Sequence, residues 1–299
     1  MNDDDDETIF PDLIDPTTRF EPSLLKAVEA YSMWLSVIAP QHKVSFEKRL
    51  KEDAEAAHAE AVVFTILRQK NLHPKPGEVI GQQGGVDFIC TPKGHPKFAV
   101  EVTAIRTETV TKASGLPHPA SLAEFRGFSQ ITGHLMREAV SKATQLADYP
   151  MPRVLVIATR HDEAALLMNA RSAAELLVGT TAINVPLGKT DMPAHVVATL
   201  KHSVFFREKN GIVEPARQSI SAIILIGFSE SSASAIGLLH PAPAVTFDHN
   251  TFSDVHFVRL AEWPVDQKLK VEWVGPTPRT TSFSLFPARL TDDELKGKA

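Results

Sequence analysis

Two acids set in apolar strands are the residues of this chain best placed to do chemistry. Asp87 follows Gly84-Gly85-Val86 and leads into Phe88-Ile89-Cys90. Glu101 lies fourteen residues further on, inside Phe98-Ala99-Val100-Glu101-Val102-Thr103. Carboxylates form strands poorly and are costly to bury. An acid in each of two neighbouring apolar runs therefore needs a compensating partner. Chemically the commonest is a hard divalent cation, Mg²⁺ or Mn²⁺, which takes oxygen ligands from one or two carboxylates.

Holding the two acids together falls to a hairpin. The residue pattern predicts strands over Val86–Cys90 and Phe98–Ile105, joined by a turn rich in Pro and Gly over Thr91–Pro96. Strand alternation puts Glu101 and Thr103 on one face. Upstream, Pro22–Ile38 reads as a helix stopped by Pro40, and Ser45–Lys70 as a longer one with Ser45 at its N-cap. Residues 71–85 read as loop, and Thr107–Ser121 as irregular and polar. Phe125–Ala147 reads as a helix ended by Pro150 and Pro152. Then come a fully apolar strand at Val154–Ala158, a helix at Asp162–Leu177 and a second apolar strand at Ile220–Gly227. This order predicts an α/β fold with a mixed central sheet flanked by helices, preceded by N-terminal helices and followed by an irregular C-terminal region.

Charge is unevenly spread over the 299 residues. Residues 1–15 hold seven acids and no base; subtracting those seven from the 36 acids leaves 29 against 31 bases. The expected organisation is an acidic, disordered tail over 1–20, one domain over 21–240, and an aromatic, Pro-rich extension over 241–299 that packs on the domain. The near-neutral body gives no global sign of nucleic-acid binding, though it leaves room for a local basic cleft. A single cysteine, Cys90, excludes disulfides within the chain and multi-cysteine zinc sites. No apolar run reaches the length of a membrane span, and the acidic start is unlike a signal peptide, so the expected location is the cytoplasm. His58, His134, His161 and His202 have no metal-ligand spacing. Ser219 and Ser221 lack a Gly-x-Ser-x-Gly elbow, and the loop at Gly81–Gly85 lacks the Lys-Ser/Thr of a phosphate-binding loop.

The pattern Gly84-Gly85-Val86-Asp87-Phe88, then Glu101-Val102-Thr103, resembles the PD-(D/E)XK nuclease superfamily, also called restriction-endonuclease-like. The resemblance covers roughly residues 46–230. The segment Glu60 to Arg68 is similar to the superfamily's first helix, which often carries a glutamate. The segment around Lys142-Ala-Thr-Gln145, followed by Val154–Ala158, is similar to its next helix and strand. The resemblance implies metal-dependent hydrolysis of phosphodiester bonds in nucleic acid, DNA before RNA. Asp87, Glu101 and a backbone carbonyl at Val102 would hold the metal. Glu60 would be a third acid, with Glu55 as the alternative. Val86 replaces the usual proline, which carries no chemistry. Thr103 replaces the usual lysine, which removes the cation from the motif. Lys142 is the expected substitute, because lysine relocates to this helix within the superfamily. Gln145, with Thr103, would meet a phosphate or a base edge. The runner-up is an inactive member of the same fold that binds nucleic acid or serves protein assembly. A homo-oligomeric contact or a protein partner through residues 241–299 is left open.

Overall fold

The computed structural model describes residues 18–20, 23–77, 85–108, 127–146, 149–184, 195–264, 268–276 and 279–285. Three helices come first: α1 (Leu24–Ile38), α2 (Pro40–Glu52) and α3 (Ala54–Gln69). The helical spacing of Leu24, Ala27, Tyr31 and Leu35 gives α1 one buried face. Pro40 does end α1, but it also opens α2, where a missing N–H costs nothing. The single helix expected over Ser45–Lys70 is two. Asp53 leaves helical geometry (φ −148°, ψ 70°), and its carboxylate accepts the Ala56 amide at 3.4 Å, so it caps α3.

The expected loop after α3 contains an edge strand, β2 (Pro74–Pro76), whose prolines an edge position tolerates. It pairs antiparallel with β3 (Phe88–Cys90), which pairs antiparallel with β4 (Phe98–Ala104). After α4 (Gly127–Gln145), β5 (Arg153–Thr159) lies parallel to β4, making α4 the crossover that a parallel pair requires. The expected helix over Asp162–Leu177 also splits, into α5 (Asp162–Leu166) and α6 (Ala170–Val178), because Asn169 leaves the helix and caps α6. Beyond them come β6 (Thr180–Asn184), β7 (His195–Thr199) and a separate hairpin of β8 (Phe206–Lys209) and β9 (Ile212–Pro215).

Two apolar strands complete the centre: β10 (Ala222–Phe228), parallel to β5, and β11 (Ala233–Leu239), antiparallel to β10. Strand β1 (Thr18–Phe20), inside the stretch expected as tail, pairs with β11; residues 1–17 lie outside the described set. The stretch expected as an appended extension supplies strands to the same sheet: β12 (Phe257–Leu260), β13 (Lys268–Val274) and β14 (Arg279–Leu285). The order is β2-β3-β4-β5-β10-β11-β12-β13-β14-β7-β6, with β1 beside β11, for 12 strands in all. Aromatic residues of this C-terminal part, among them Phe247, Phe252 and Phe257, are buried.

Each face of the sheet has its own core. On one, Val100, Val154 and Ile224 meet α1, α3 and Phe46 of α2. On the other, Ala99, Leu155 and Ile223 meet α4 and α6.

Candidate active site where the β3–β4 hairpin ends

Strand β3 pairs with β4 through three residues only, Phe88–Val100, Ile89–Ala99 and Cys90–Phe98. The expected strand over Val86–Cys90 is therefore shorter, because the chain bends at Asp87. The Val86 amide donates to the Tyr149 hydroxyl at 3.0 Å, and the Asp87 carbonyl accepts the Gly77 amide at 3.0 Å. Strand β4 runs on past β3 with β5 along its other side. There Asp87 Oδ2 accepts the Val102 amide at 2.7 Å, taking the place that a neighbouring strand's carbonyl would have. Continuing the register by one residue sets Asp87 across from Glu101.

Glu101 projects to the face that carries α4. Lys142 Nζ donates to Glu101 Oε1 at 2.6 Å. The Glu101 side chain is 4% exposed and that of Lys142 25%. One turn earlier on α4, Glu138 Oε2 accepts the Thr103 hydroxyl at 3.0 Å. Two strand residues rise about 6.6 Å and four helix residues about 6 Å, so the contacts form two matched rungs between β4 and α4. The apolar side of α4 (Leu135, Ala139, Ala143), with Leu146 just past its end, fixes its rotation against the sheet. Arg153 fixes its end, with Nη1 donating to the Leu146 carbonyl at 3.2 Å and the Tyr149 carbonyl at 2.8 Å.

Glu60 reaches the same edge from α3, on the opposite face. Its Oε1 accepts the Tyr31 hydroxyl at 2.6 Å. Burial, and then the Glu60 carboxylate, push the Tyr31 hydroxyl far above its ordinary pKa, so it remains a donor. Glu60 Oε2 lies 2.8 Å from Arg49 Nη2, and Arg49 Nη1 stands 4.0 Å from Asp87 Oδ1. Where the β3 ladder stops, Arg49 thus approaches Glu60 and Asp87 over one face, and Lys142 meets Glu101 over the other. The structure joins Asp87 to the Val102 amide, Glu101 to Lys142 and Thr103 to Glu138, with Glu60 reached through Arg49.

Glu55, the alternative acid, is used elsewhere: its Oε2 accepts the Thr107 amide at 2.7 Å beyond the end of β4. Gln145 is the last residue of α4, and its side chain lies outside the described set. His161 caps α5, with Nδ1 accepting the Ala164 amide at 3.3 Å, and Cys90 is buried. Sequence reasoning missed Arg49, Tyr31 and Glu138. Glu138 had a legible signal, since Glu138 and Lys142 are spaced i, i+4 just as Thr103 and Glu101 are spaced i, i+2. Arg49, in a run with Glu47 and Lys48, reads as ordinary helix surface.

Among the described residues, no three His, Cys, Asp or Glu side chains stand together as a metal cage. Mg²⁺ does not need one; it is held by one or two carboxylates and keeps several waters. Asp87 and Glu101 are the two carboxylates that could serve. The N–H and C=O of a strand residue face the same neighbour, so the Val102 carbonyl turns to the side on which its amide meets Asp87. This all-oxygen set could hold Mg²⁺ or Mn²⁺.

The fold and the site define an α/β protein with an acid and cation cluster at the unpaired end of a central strand. No family model, curated protein or solved structure matches the chain. No described helix is long and apolar enough to cross a membrane.

Proposed function

We propose that the chain hydrolyses phosphodiester bonds of nucleic acid with Mg²⁺ or Mn²⁺, in a restriction-endonuclease-like site. One observation carries this reading: Lys142 Nζ lies 2.6 Å from Glu101 Oε1, on the acid opposite Asp87. Thr103 carries no charge, so an active site of this kind needs a cation from elsewhere, and Lys142 reaches it. The element order α3, β2–β3–β4, α4, β5 also supports the resemblance.

Asp87, Glu101 and the Val102 carbonyl would hold the ion, and Glu60 would add negative charge beside them. The ion, when bound, polarises the scissile phosphate and lowers the pKa of the attacking water. Lys142 keeps a positive charge at Glu101 for the phosphate oxygens as charge builds in the transition state. Thr103 and Glu138 hold α4 against β4 so that Lys142 is aimed before substrate arrives. Gln145 belongs to this reading as a contact to phosphate or base. DNA is the first substrate expected and RNA the second, in the cytoplasm.

The test is cleavage of single- and double-stranded DNA and RNA by the full chain in Mg²⁺ or Mn²⁺. Lys142→Ala should cut about 100-fold more slowly while keeping its fold, the scale of removing one transition-state donor. A wild-type chain that cuts none of the four substrates with either ion rejects the reading.

One observation favours the second reading, an inactive fold that binds nucleic acid or a protein partner. Glu60 and Glu101 are each already neutralised by a cation, Arg49 and Lys142. Nucleic-acid binding that persists without divalent ions, together with no cleavage, would decide for it.

A further inference from the structure

We propose that Arg49 is an internal counter-cation that holds the acid cluster without metal and gives way when a divalent ion binds. This rests on the metal-site reading above and names a regulation of that site. Arg49 comes from the last turn of α2, and its planar fork spans two carboxylates. Nη2 is 2.8 Å from Glu60 Oε2, and Nη1 is 4.0 Å from Asp87 Oδ1. A guanidinium and a dication draw on the same negative charge at Asp87. At such distances they repel each other inside a largely buried site, where screening is weak.

The surroundings allow the exchange. The Arg49 side chain is 33% exposed, so water can receive the guanidinium as it leaves. Glu60 Oε1 keeps the Tyr31 hydroxyl at 2.6 Å when Arg49 departs. Helix α2 fully buries a single side chain, Phe46, and its last turn adds the partly buried Leu50, so a shift of that turn disturbs little core. Lys142 differs in place: it lies over the other face of the sheet, on Glu101. Arg49 therefore sets the affinity for the ion and ties the position of α2 to metal occupancy.

The experiment titrates the full chain with Mn²⁺ in the absence of nucleic acid, following the free ion by electron paramagnetic resonance. Wild type, Arg49→Ala, Arg49→Lys and Asp87→Asn are compared, with a thermal melt of each to confirm folding. Arg49→Ala should bind Mn²⁺ about tenfold more tightly than wild type. Arg49→Lys, which keeps the charge but loses the fork, should fall between them, and it carries the test if the alanine variant does not fold. Asp87→Asn should bind far more weakly than all three. If Mn²⁺ binding depends on Asp87 but is unchanged in both Arg49 variants, the counter-cation role is overturned and the metal site stands. If no variant shows Asp87-dependent binding, the metal site and the counter-cation role fall together.

Discussion

Strands β4 and β10 both lie parallel to β5, one on each side, and they end differently. β10 is paired along its whole length with β11, through seven residue pairs from Ala222–Leu239 to Phe228–Ala233. β4 is paired with β3 through three, and its second half meets a side chain, Asp87, instead of a strand. Every residue of β10 is buried, whereas burial along β4 loosens after Glu101. Ladder completion satisfies backbone groups and leaves nothing over. An incomplete ladder leaves amides and carbonyls that side chains must meet, and the acids of this protein sit there. Chemistry on the β4 side and scaffolding on the β10 side should therefore separate under mutation.

The largest expected effect comes from the β4 side. Asp87→Ala combined with Glu101→Ala should abolish Mg²⁺- or Mn²⁺-dependent cleavage. The variant should remain folded, since Arg49 keeps Glu60 and the part-exposed Lys142 can turn to water once Glu101 is gone. Cleavage rate and thermal melting measured on the same preparation check both halves. Retained cleavage breaks the comparison, and so does a collapse of the fold with no separate loss of activity.

The scaffold side should show the reverse: a stability effect with pH and no change in metal affinity. His240 follows β11 directly and is 5% exposed. Its Nε2–H donates to the Ala216 carbonyl at 2.8 Å, and its Nδ1 accepts the Ala242 amide at 2.9 Å. Only the neutral ring can do both. Burial first, and the Arg217 charge after it, outweigh the Ala216 bond and pull its pKa from 6.5 to about 4. Between those values the unfolded chain binds a proton that the folded chain refuses. Stability therefore falls as pH drops from about 6.5 to about 4 and levels off below, by about 3 kcal/mol in all. Urea unfolding at pH 7, 5.5 and 4 should show this slope in the wild type and a shallower one in His240→Leu. Equal slopes would remove His240 from the account.

The same contrast explains what was legible in the sequence. Asp87 and Glu101 stood out because a carboxylate in an apolar strand violates local preference, and such violations mark sites. The central strands β5 and β10 were legible as continuous apolar runs. Strand β13 was not recognised, although Leu269, Val271 and Trp273 alternate inward and Lys270 outward. Its Lys-rich start and the prolines around it suggested loop. Strands β2 and β1, of three residues each, are too short to show a period at all. The break at Asp53 was hidden because an acid inside a helical pattern reads as surface until its cap is seen. Arg49 was hidden for a different reason: its partners lie on α3 and at the head of β3, and nothing local to α2 announces them.

The smallest expected effect concerns Thr103, which stands where the resemblance calls for lysine. Its hydroxyl donates to Glu138 Oε2 at 3.0 Å, one rung along from Lys142 and Glu101. Thr103→Val keeps the shape and removes the donor, a loss of about 1 kcal/mol for a neutral donor to a carboxylate that water can partly replace. If the hydroxyl serves only to hold α4 in register, cleavage should fall by less than about tenfold. Lys142→Ala, by contrast, removes the charge itself. Thr103→Lys sharpens the point. A lysine there meets Glu138 first, so in a Lys142→Ala background it should restore little activity. Adding Glu138→Gln should let that lysine turn to Glu101, on the same face of β4, and restore more. Steady-state rates of the single, double and triple variants on one nucleic-acid substrate measure the sequence. Full rescue by Thr103→Lys with Glu138 intact would show that the Glu138 rung does not constrain the site.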